Sequence, residues 1–437
     1  MGKSLQKILL VLVILAALGL VAISLPPVRD RLTWHLDQWR TRIVYFLRPP
    51  EKEIFVPQAE VATAVQATMA QFTPSLDPTE TSTSTPDVPE DTPTPTFTPT
   101  PLPESVKLEG VRYIDQHYGW NNCGPANLAM ALTYWGWNGK AQDTSAYLKP
   151  FEQDKNVMPY EMVNYVEEKT DLAATLRYGG TLKLLKNLLA NHYPVLIEIG
   201  TFRIRETLTG KYSWMGHYQV LTGYDDASQE FILQDSYFPD GKDYHLVYET
   251  LLPEWRSFDF VFLVIYPKDR EQAVLSLLGD YADATTADRI AYQTASDEIY
   301  KLSGTDLFFA WFNRGSSLVR LQDYNGAAQA FDEAYRLMAE LSEDKRPYRI
   351  TWYQTSPYFA YFYTGRYQDV IKLANSILDP LELTQKPYLE ESYYWRGQAK
   401  YALGDVAGGI EDVKKSLEYH PGFQPALDLL NQWGVNP

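Results

Sequence analysis

Between residues 73 and 103 the chain places Thr, Ser or Pro at 22 of 31 positions and uses neither Lys nor Arg, as in TPTPTFTPTPLP. A stretch of this kind has too little apolar surface to bury and stays extended, partly as polyproline helix. It divides the 437 residues into a short N-terminal part and a longer part, from about residue 105, with the composition of a folded protein. The charge is divided as well. The whole chain carries −16, yet its first fifty residues carry seven Lys or Arg against two Asp or Glu, so the remainder carries −21. An acidic body of this kind argues against a nucleic-acid binder, which needs a basic surface for phosphate. A single cysteine excludes an internal disulfide framework and any zinc site built on two or more thiolates. The sequence has no HExxH, no glycine-rich phosphate loop and no dinucleotide fingerprint, so no cofactor and no metal is expected.

Residues 8–25 form an uncharged run of eighteen, preceded by Lys3 and Lys7. That length suits a transmembrane helix and exceeds most signal-peptide cores, so residues 1–27 are expected to be an anchor. A cleaved signal is the alternative, because Ala22-Ile23-Ser24 ends in small residues. Within residues 28–72, Val28, Leu32, Leu36, Trp39, Ile43 and Leu47 recur at helical spacing with Arg29, Arg31, Arg40 and Arg42 between them. This predicts an amphipathic helix in the headgroup layer, or a short helix packed on the rest of the protein. The arginines favour a cytoplasmic C-terminal side by the positive-inside count. The linker at 73–104 favours the opposite, since spacers of this composition carry a domain away from a membrane.

Folded sequence resumes near Val106. In YIDQHYGWNNCGPANLAMALTYWGW, Pro125 suits the first turn of a helix, and Leu128, Ala131, Leu132 and Trp135 form one apolar face. Cys123 therefore stands at a helix N-terminus, where unpaired backbone N–H groups and the positive dipole end favour thiolate. Gly124 is expected to leave room for a substrate backbone beside the sulfur. A lone cysteine is otherwise a small buried hydrophobe.

Six histidines compete as its base. His35 and His420 lie in other segments, His117 shares the loop before the thiol, His192 sits at a helix-to-strand junction, and His245 falls in a strand-like run. His217 begins GHYQVLTGYDD, a β-rich run, and FILQDSY follows as a second strand. A hairpin through residues 225–229 folds Asp235 back toward His217, where a carboxylate fixes the imidazole tautomer and stabilises its protonated form. Asp225 and Asp226 read as turn residues. Gln116 can offer a side-chain amide beside the Cys123 backbone N–H to an oxyanion. Trp120, Trp135, Trp137 and Trp214 are candidates to line a cleft, or core aromatics.

Taken together, these pieces resemble the bacteriocin-processing (double-glycine leader) peptidases and their stand-alone relatives, a papain-like group of small bacterial cysteine peptidases. The resemblance rests on Tyr113-Ile114-Asp115-Gln116, on Asn122-Cys123-Gly124-Pro125-Ala126 with Leu128-Ala129-Met130, and on LKLLKNLLANHYPVLIEIG. Gly216-His217-Tyr218, Gly223-Tyr224 and Gln234-Asp235-Ser236 complete it. It covers residues 106–267. It implies an α+β papain-like peptidase domain at 105–268, with Cys123 as nucleophile, His217 as base, Asp235 as the orienting residue and Gln116 in the oxyanion hole. The studied leader peptidases are fused to a peptide exporter. No ATP-binding motif exists here, so double-glycine specificity does not carry over.

From 269 to 437 the pattern is helical and self-similar. Trp311, Gly315, Tyr324, Ala327, Phe331 and Ala334 recur as Gly365, Tyr367, Val370, Ala374, Ile377 and Pro380. They recur again as Gly397, Gly404-Asp405, Ile410, Val413, Ser416 and Pro421. This resembles tetratricopeptide repeats, with residues 271–303 as a degenerate opening unit, Pro380 and Pro421 ending units, and spacings of 43 and 39 where 34 is usual. Such an array implies an all-α domain whose concave face binds a peptide or protein, or one that braces its neighbour. The expectation is a membrane-anchored cysteine peptidase of the bacterial cell surface, its domains extracytoplasmic, acting on a peptide or protein substrate. It would contact the membrane through the N-terminal helix and a protein partner on the repeat groove. The alternatives are a non-catalytic scaffold or peptide-binding protein, and a thiol amidase or acyltransferase on cell-wall peptide.

Overall fold

The computed structural model describes residues 101–205, 212–382 and 386–437, residues 54–57, and Leu36, Trp39, Ile43, Phe46 and Leu47. The uncharged run at 8–25 and the linker up to residue 100 lie outside the described residues. Among the described residues no helix is long and apolar enough to cross a membrane. Leu36, Trp39, Ile43 and Leu47 are helical and exposed.

Seven strands form one antiparallel sheet: β1 (Ser105–Lys107), β2 (Leu172–Arg177), β3 (Val195–Thr201), β4 (Met215–Asp225), β5 (Glu230–Gln234), β6 (Tyr244–Val247) and β7 (Phe262–Pro267). Their order is β2-β7-β3-β4-β5-β6, with β1 paired to the far end of β4. β3 is buried along its whole length, which requires both faces of the sheet to be covered. One face carries α1 (Cys123–Tyr134), α2 (Ala141–Leu148) and α3 (Pro159–Lys169), whose Leu128, Leu132, Met162 and Val166 pack with Leu196, Val220 and Leu263. The other carries α4 (Leu182–Ala190), α5 (Tyr248–Arg256) and α6 (Glu271–Leu278). In α4, Leu184, Leu185, Leu188 and Leu189 fall on one stripe, and the Thr181 hydroxyl caps the helix by accepting from the Leu184 N–H. Each such buried leucine stabilises the sheet packing by about 2 kcal/mol. α6 differs from the expectation that 271–303 opens the helical array. Its Val274 and Leu278 are buried with the sheet residues Phe262 and Val264, so it belongs to the α+β unit.

The rest is helical: α7 (Ala284–Glu298), α8 (Gly304–Arg320), α9 (Tyr324–Glu340), α10 (Ile350–Tyr353), α11 (Ser356–Tyr363), α12 (Tyr367–Glu382), α13 (Glu390–Ala402), α14 (Val406–Tyr419) and α15 (Gln424–Gln432). Two helix pairs are built alike. Gly315 of α8 lies so close to Phe331 of α9 that a Cβ would come within 2.7 Å of its ring, and Gly397 of α13 lies 2.8 Å, by the same measure, from the Gly409 carbonyl of α14. Asp323 and Asp405 cap α9 and α14 in the same way, accepting from Gly326 N and Gly408 N. Pro380 does not end its helix, which carries the proline through its last turn to Glu382.

The extra length between repeated positions lies in the connections after α9 and α12, and their described residues 341–355 and 386–389 both reach the α+β unit. Arg349 Nη1 donates to Ser213 Oγ at 2.9 Å, and the Tyr388 ring sits 5.3 Å from Phe151. The two regions share one core, in which Trp214 and Phe258 of the sheet unit pack with Phe308, Phe309 and Phe312 of α8. Arg320 of α8 joins them electrostatically, pairing with buried Asp259 at 2.5 Å and with Asp288 at 2.6 Å.

Candidate active site

Cys123 is the first residue of α1, and the loop before it is built to hold it there. Asn122, at the cap position, makes no side-chain cap; its Oδ1 accepts from Lys149 Nζ at 3.1 Å instead. The same buried ammonium donates to the Trp120 carbonyl of this loop and to the Glu152 carbonyl, so all three of its donors are spent and the loop is tied to the segment after α2. Asn121 adopts a left-handed backbone at φ 49° and donates through Nδ2 to the Asp154 carbonyl at 2.8 Å. Gly124 serves packing rather than substrate access: a Cβ there would come to 3.1 Å from both Val157 and Met162, so its absence lets α1 seat against α3 and the loop before it.

The β4–β5 hairpin sets the partner of the thiol. Asp225 pairs with Glu230 and Val220 with Gln234, with a bulge between Leu221 and Gly223. The extra residue keeps the alternation in step, so that Asp235 falls on the same face as His217 and Gln219. Asp235 Oδ1 lies 2.8 Å from His217 Nε2, with both residues almost fully buried. Asp235 Oδ2 accepts from Gln219 Nε2 at 2.7 Å, and Oδ1 accepts from the Tyr237 N–H at 3.0 Å. With Nε2 taken by the carboxylate, Nδ1 is the ring nitrogen left to bond the Cys123 sulfur, which also receives the backbone N–H groups of Tyr218 and Gly124.

Burial alone would push the thiol up and the imidazole down. The partners outweigh it in both cases. Cys123 lies below the ordinary thiol value because His217 and the two N–H groups favour the thiolate. His217 is raised to about 10, burial being overcome by the Asp235 charge and hydrogen bond and then by the sulfur. Asp235 is held below the usual carboxylate range by His217, Gln219 and the Tyr237 N–H, again against burial. Both shifts favour the thiolate–imidazolium form of the pair over the neutral one.

Gln116 is oriented by a chain of hydrogen bonds. Asn127, one helical turn after the thiol, donates through Nδ2 to the Cys123 carbonyl, to the Tyr218 carbonyl and to Ser236 Oγ at 2.9, 2.8 and 2.9 Å. Ser236, its lone pair occupied, donates its proton to Gln116 Oε1 at 2.8 Å, and Gln116 N donates to the Ser236 carbonyl at 3.0 Å. The Gln116 amide is thus fixed with its oxygen engaged and its Nε2 donors remaining.

The other histidines stand apart from the thiol. His117 bonds exposed Asp115, His245 bonds Glu230 and His420 bonds Glu390. His35 lies outside the described residues. Trp214 is not a cleft residue; it is buried, stacked on Phe258 at 5.8 Å and packed on Phe309. Glu161, Glu390 and His420 each place one ligand atom within 4.8 Å of the others, at the junction of α3 with α13 and the end of α14, and share no residue with the thiol site.

Two groups near the thiol have no sequence signal. Glu198, opposite Tyr218 on β3, is buried, and burial raises its carboxyl well above the ordinary value against the Tyr218 bond and the His217 charge. Tyr353 of α10 packs its ring on Gly216, where a Cβ would lie 2.9 Å away, next to His217. The helical region therefore reaches the backbone beside His217 and the neighbourhood of the thiol. Gln219, Asn127 and Ser236 were in principle findable, the first two by spacing: two residues along a strand from His217 and four along a helix from Cys123 share faces with them.

Residues 108–263 match the model of the Peptidase_C39 like family. That stretch contains Gln116, Cys123, His217 and Asp235 and ends inside β7, leaving the helical region outside it. Among solved structures the chain is similar to one from Bacillus anthracis described as a C39-like peptidase, at 17% identity and a TM-score of 0.31, over 37% of this chain and 98% of that one. No curated protein matches the chain.

Proposed function

We propose that the chain is a cysteine peptidase in which Cys123, His217 and Asp235 form the catalytic triad and Gln116 completes the oxyanion hole. The observation that carries this reading is the 2.8 Å bond from His217 Nε2 to buried Asp235, which leaves the other ring nitrogen for a thiol at a helix N-terminus. The thiolate adds to a peptide carbonyl, and the oxyanion accepts from Gln116 Nε2 and the Cys123 N–H. As the C–N bond breaks, His217 Nδ1 gives its proton to the leaving amine and a thioester remains. The imidazole then takes a proton from water, hydroxide adds to the thioester, and the C–S bond breaks to release the acid and the thiolate.

The helical region fits a short tetratricopeptide-like array, supported by the paired glycine crossings and the two Asp caps. In this reading it shapes the substrate cleft through Tyr353 as well as offering a surface to a partner. Membrane attachment through residues 8–25 is part of the same proposal, and the exposed row Leu36, Trp39, Ile43 and Leu47 suits a lipid interface.

The test is the alkylation rate of Cys123 against pH on the full chain, with His217→Ala alongside, and peptide hydrolysis by Cys123→Ala. The expected thiol reacts well below pH 8.5, slows in His217→Ala, and Cys123→Ala loses turnover by at least about 10³-fold while staying folded. Alkylation that rises only near the ordinary thiol value and ignores His217 would overturn the triad.

A further inference from the structure

Among the described residues before 101, one is buried, and it is buried in the wrong half of the molecule. Phe55 is 6% exposed and joins the core of the helical region. Its ring meets Tyr335 of α9 edge-on at 4.9 Å and Tyr361 of α11 at 5.7 Å. The two tyrosines are held independently of it. Tyr335 Oη bonds Thr351 at 3.2 Å, Tyr361 Oη donates to Asp332 at 3.1 Å, and the Arg366 guanidinium covers the Tyr361 ring at 4.4 Å. The seat is thus built by the helices, and Phe55 fills it from an irregular segment whose next residue, Val56, is 59% exposed.

The other end of the intervening chain is also fixed. Tyr224 Oη donates to the Pro103 carbonyl at 2.8 Å and Asp226 N to the Glu104 carbonyl at 2.9 Å, immediately before β1 pairs with β4. Between Pro57 and Pro101 lie 43 residues, enough to span about 140 Å when extended, so nothing in the length prevents both ends from resting on one folded body. A single aromatic side chain is a weak anchor between separate molecules. With the second attachment at β1 the contact becomes intramolecular, at an effective concentration of about millimolar.

We infer that the aromatic seat between α9 and α11 is a docking site for the chain's own residues 54–57, with Phe55 as the anchor, so that the folded body holds the chain on both sides of residues 58–100. The stand-off of the folded body from whatever holds residues 1–27 is then set by residues 28–53. The length of residues 58–100 does not enter it. This inference does not depend on the thiol chemistry.

The experiment is a pair of spin labels on the full chain in the Cys123→Ala background, which has no other cysteine. One label replaces exposed Val56 and the other exposed Arg336, the neighbour of Tyr335. The expected result is one short, narrow distance in the parent. Phe55→Ala broadens it and lowers the ratio of docked to undocked chain about 30-fold, the factor one buried aromatic side chain carries, while Phe55→Tyr keeps it. A broad, long distribution in the Phe55 parent overturns the inference without any further variant. So does a short distance that survives Phe55→Ala with the helical region still folded.

Discussion

Both halves of this molecule bury charge, and they do so differently. In the helical region Asp332, Asp369 and Asp412 are matched by arginines in forked geometry. Arg366 holds Asp332 at 2.7 and 2.9 Å and Asp369 at 2.8 Å, and Arg396 holds Asp412 at 2.8 and 2.9 Å. In the α+β unit the buried polar groups around Cys123 are matched only in part. Asp235 holds an imidazole whose other nitrogen faces a thiol, Gln116 has its oxygen engaged and its nitrogen unspent, and Glu198 is bonded by Tyr218 with no arginine or lysine among its partners. Saturated networks fix a shape. Networks left one bond short keep a reactive group in a defined place, at a cost in stability that the surrounding core offsets.

The comparison breaks most easily at Asp235. Asp235→Asn keeps the shape but removes the charge that holds His217 up, so the thiolate loses its counter-ion. Peptide turnover should fall about 10³-fold and the alkylation profile of Cys123 should move to higher pH. The stability signature has a definite sign. A histidine raised from 6.5 to about 10 contributes fully below pH 6.5 and loses that contribution as pH rises toward 10. Urea unfolding of parent and variant should therefore differ most at pH 6 and converge toward pH 10. A gap that widens with pH would mean that the imidazole is neutral in the folded protein.

Arg366→Ala tests the other side. It leaves Asp332 and Asp369 without the cation between them, and denaturant unfolding should show a loss of about 3 kcal/mol. The alkylation profile of Cys123 should not move. A change in thiol reactivity would show that the two networks are coupled through the shared core rather than separate in role.

The sequence carried the local signals of both halves and little of what joins them. Helix α1, the β4–β5 hairpin and the α4–β3 unit are legible because each is written in contiguous periodicity, and the glycines of the helix pairs fall where a Cβ has no room. The bulge at Leu221/Gly223 is not, although without it Asp235 would face away from His217. Gly124 invited a substrate reading because a glycine beside a nucleophile does not announce whether the space is for ligand or for a neighbouring helix. Tyr353 and Phe55 act at sequence separations of more than 130 and more than 270 residues from what they touch, and neither has a local pattern. Connections at 341–355 and 386–389 look like irregular spacing in a repeat; the structure shows them to be contacts with the α+β unit.

The smallest predicted effect is the most discriminating, because it separates two ways of being short of a bond. Gln116 touches neither His217 nor Asp235; it is tied to the thiol only through Asn127 and Ser236. If its free Nε2 donates to a developing oxyanion, Gln116→Ala should lower kcat about 10²-fold with KM little changed, since that bond forms only in the transition state. Alkylation of Cys123 creates no oxyanion, so its rate and pH profile should be those of the parent. Gln116→Glu should be as impaired in turnover as the alanine variant, because a carboxylate cannot donate. Equal losses in turnover and alkylation would instead make Gln116 a brace for the Cys123 loop, placing it with the saturated networks of the helical half.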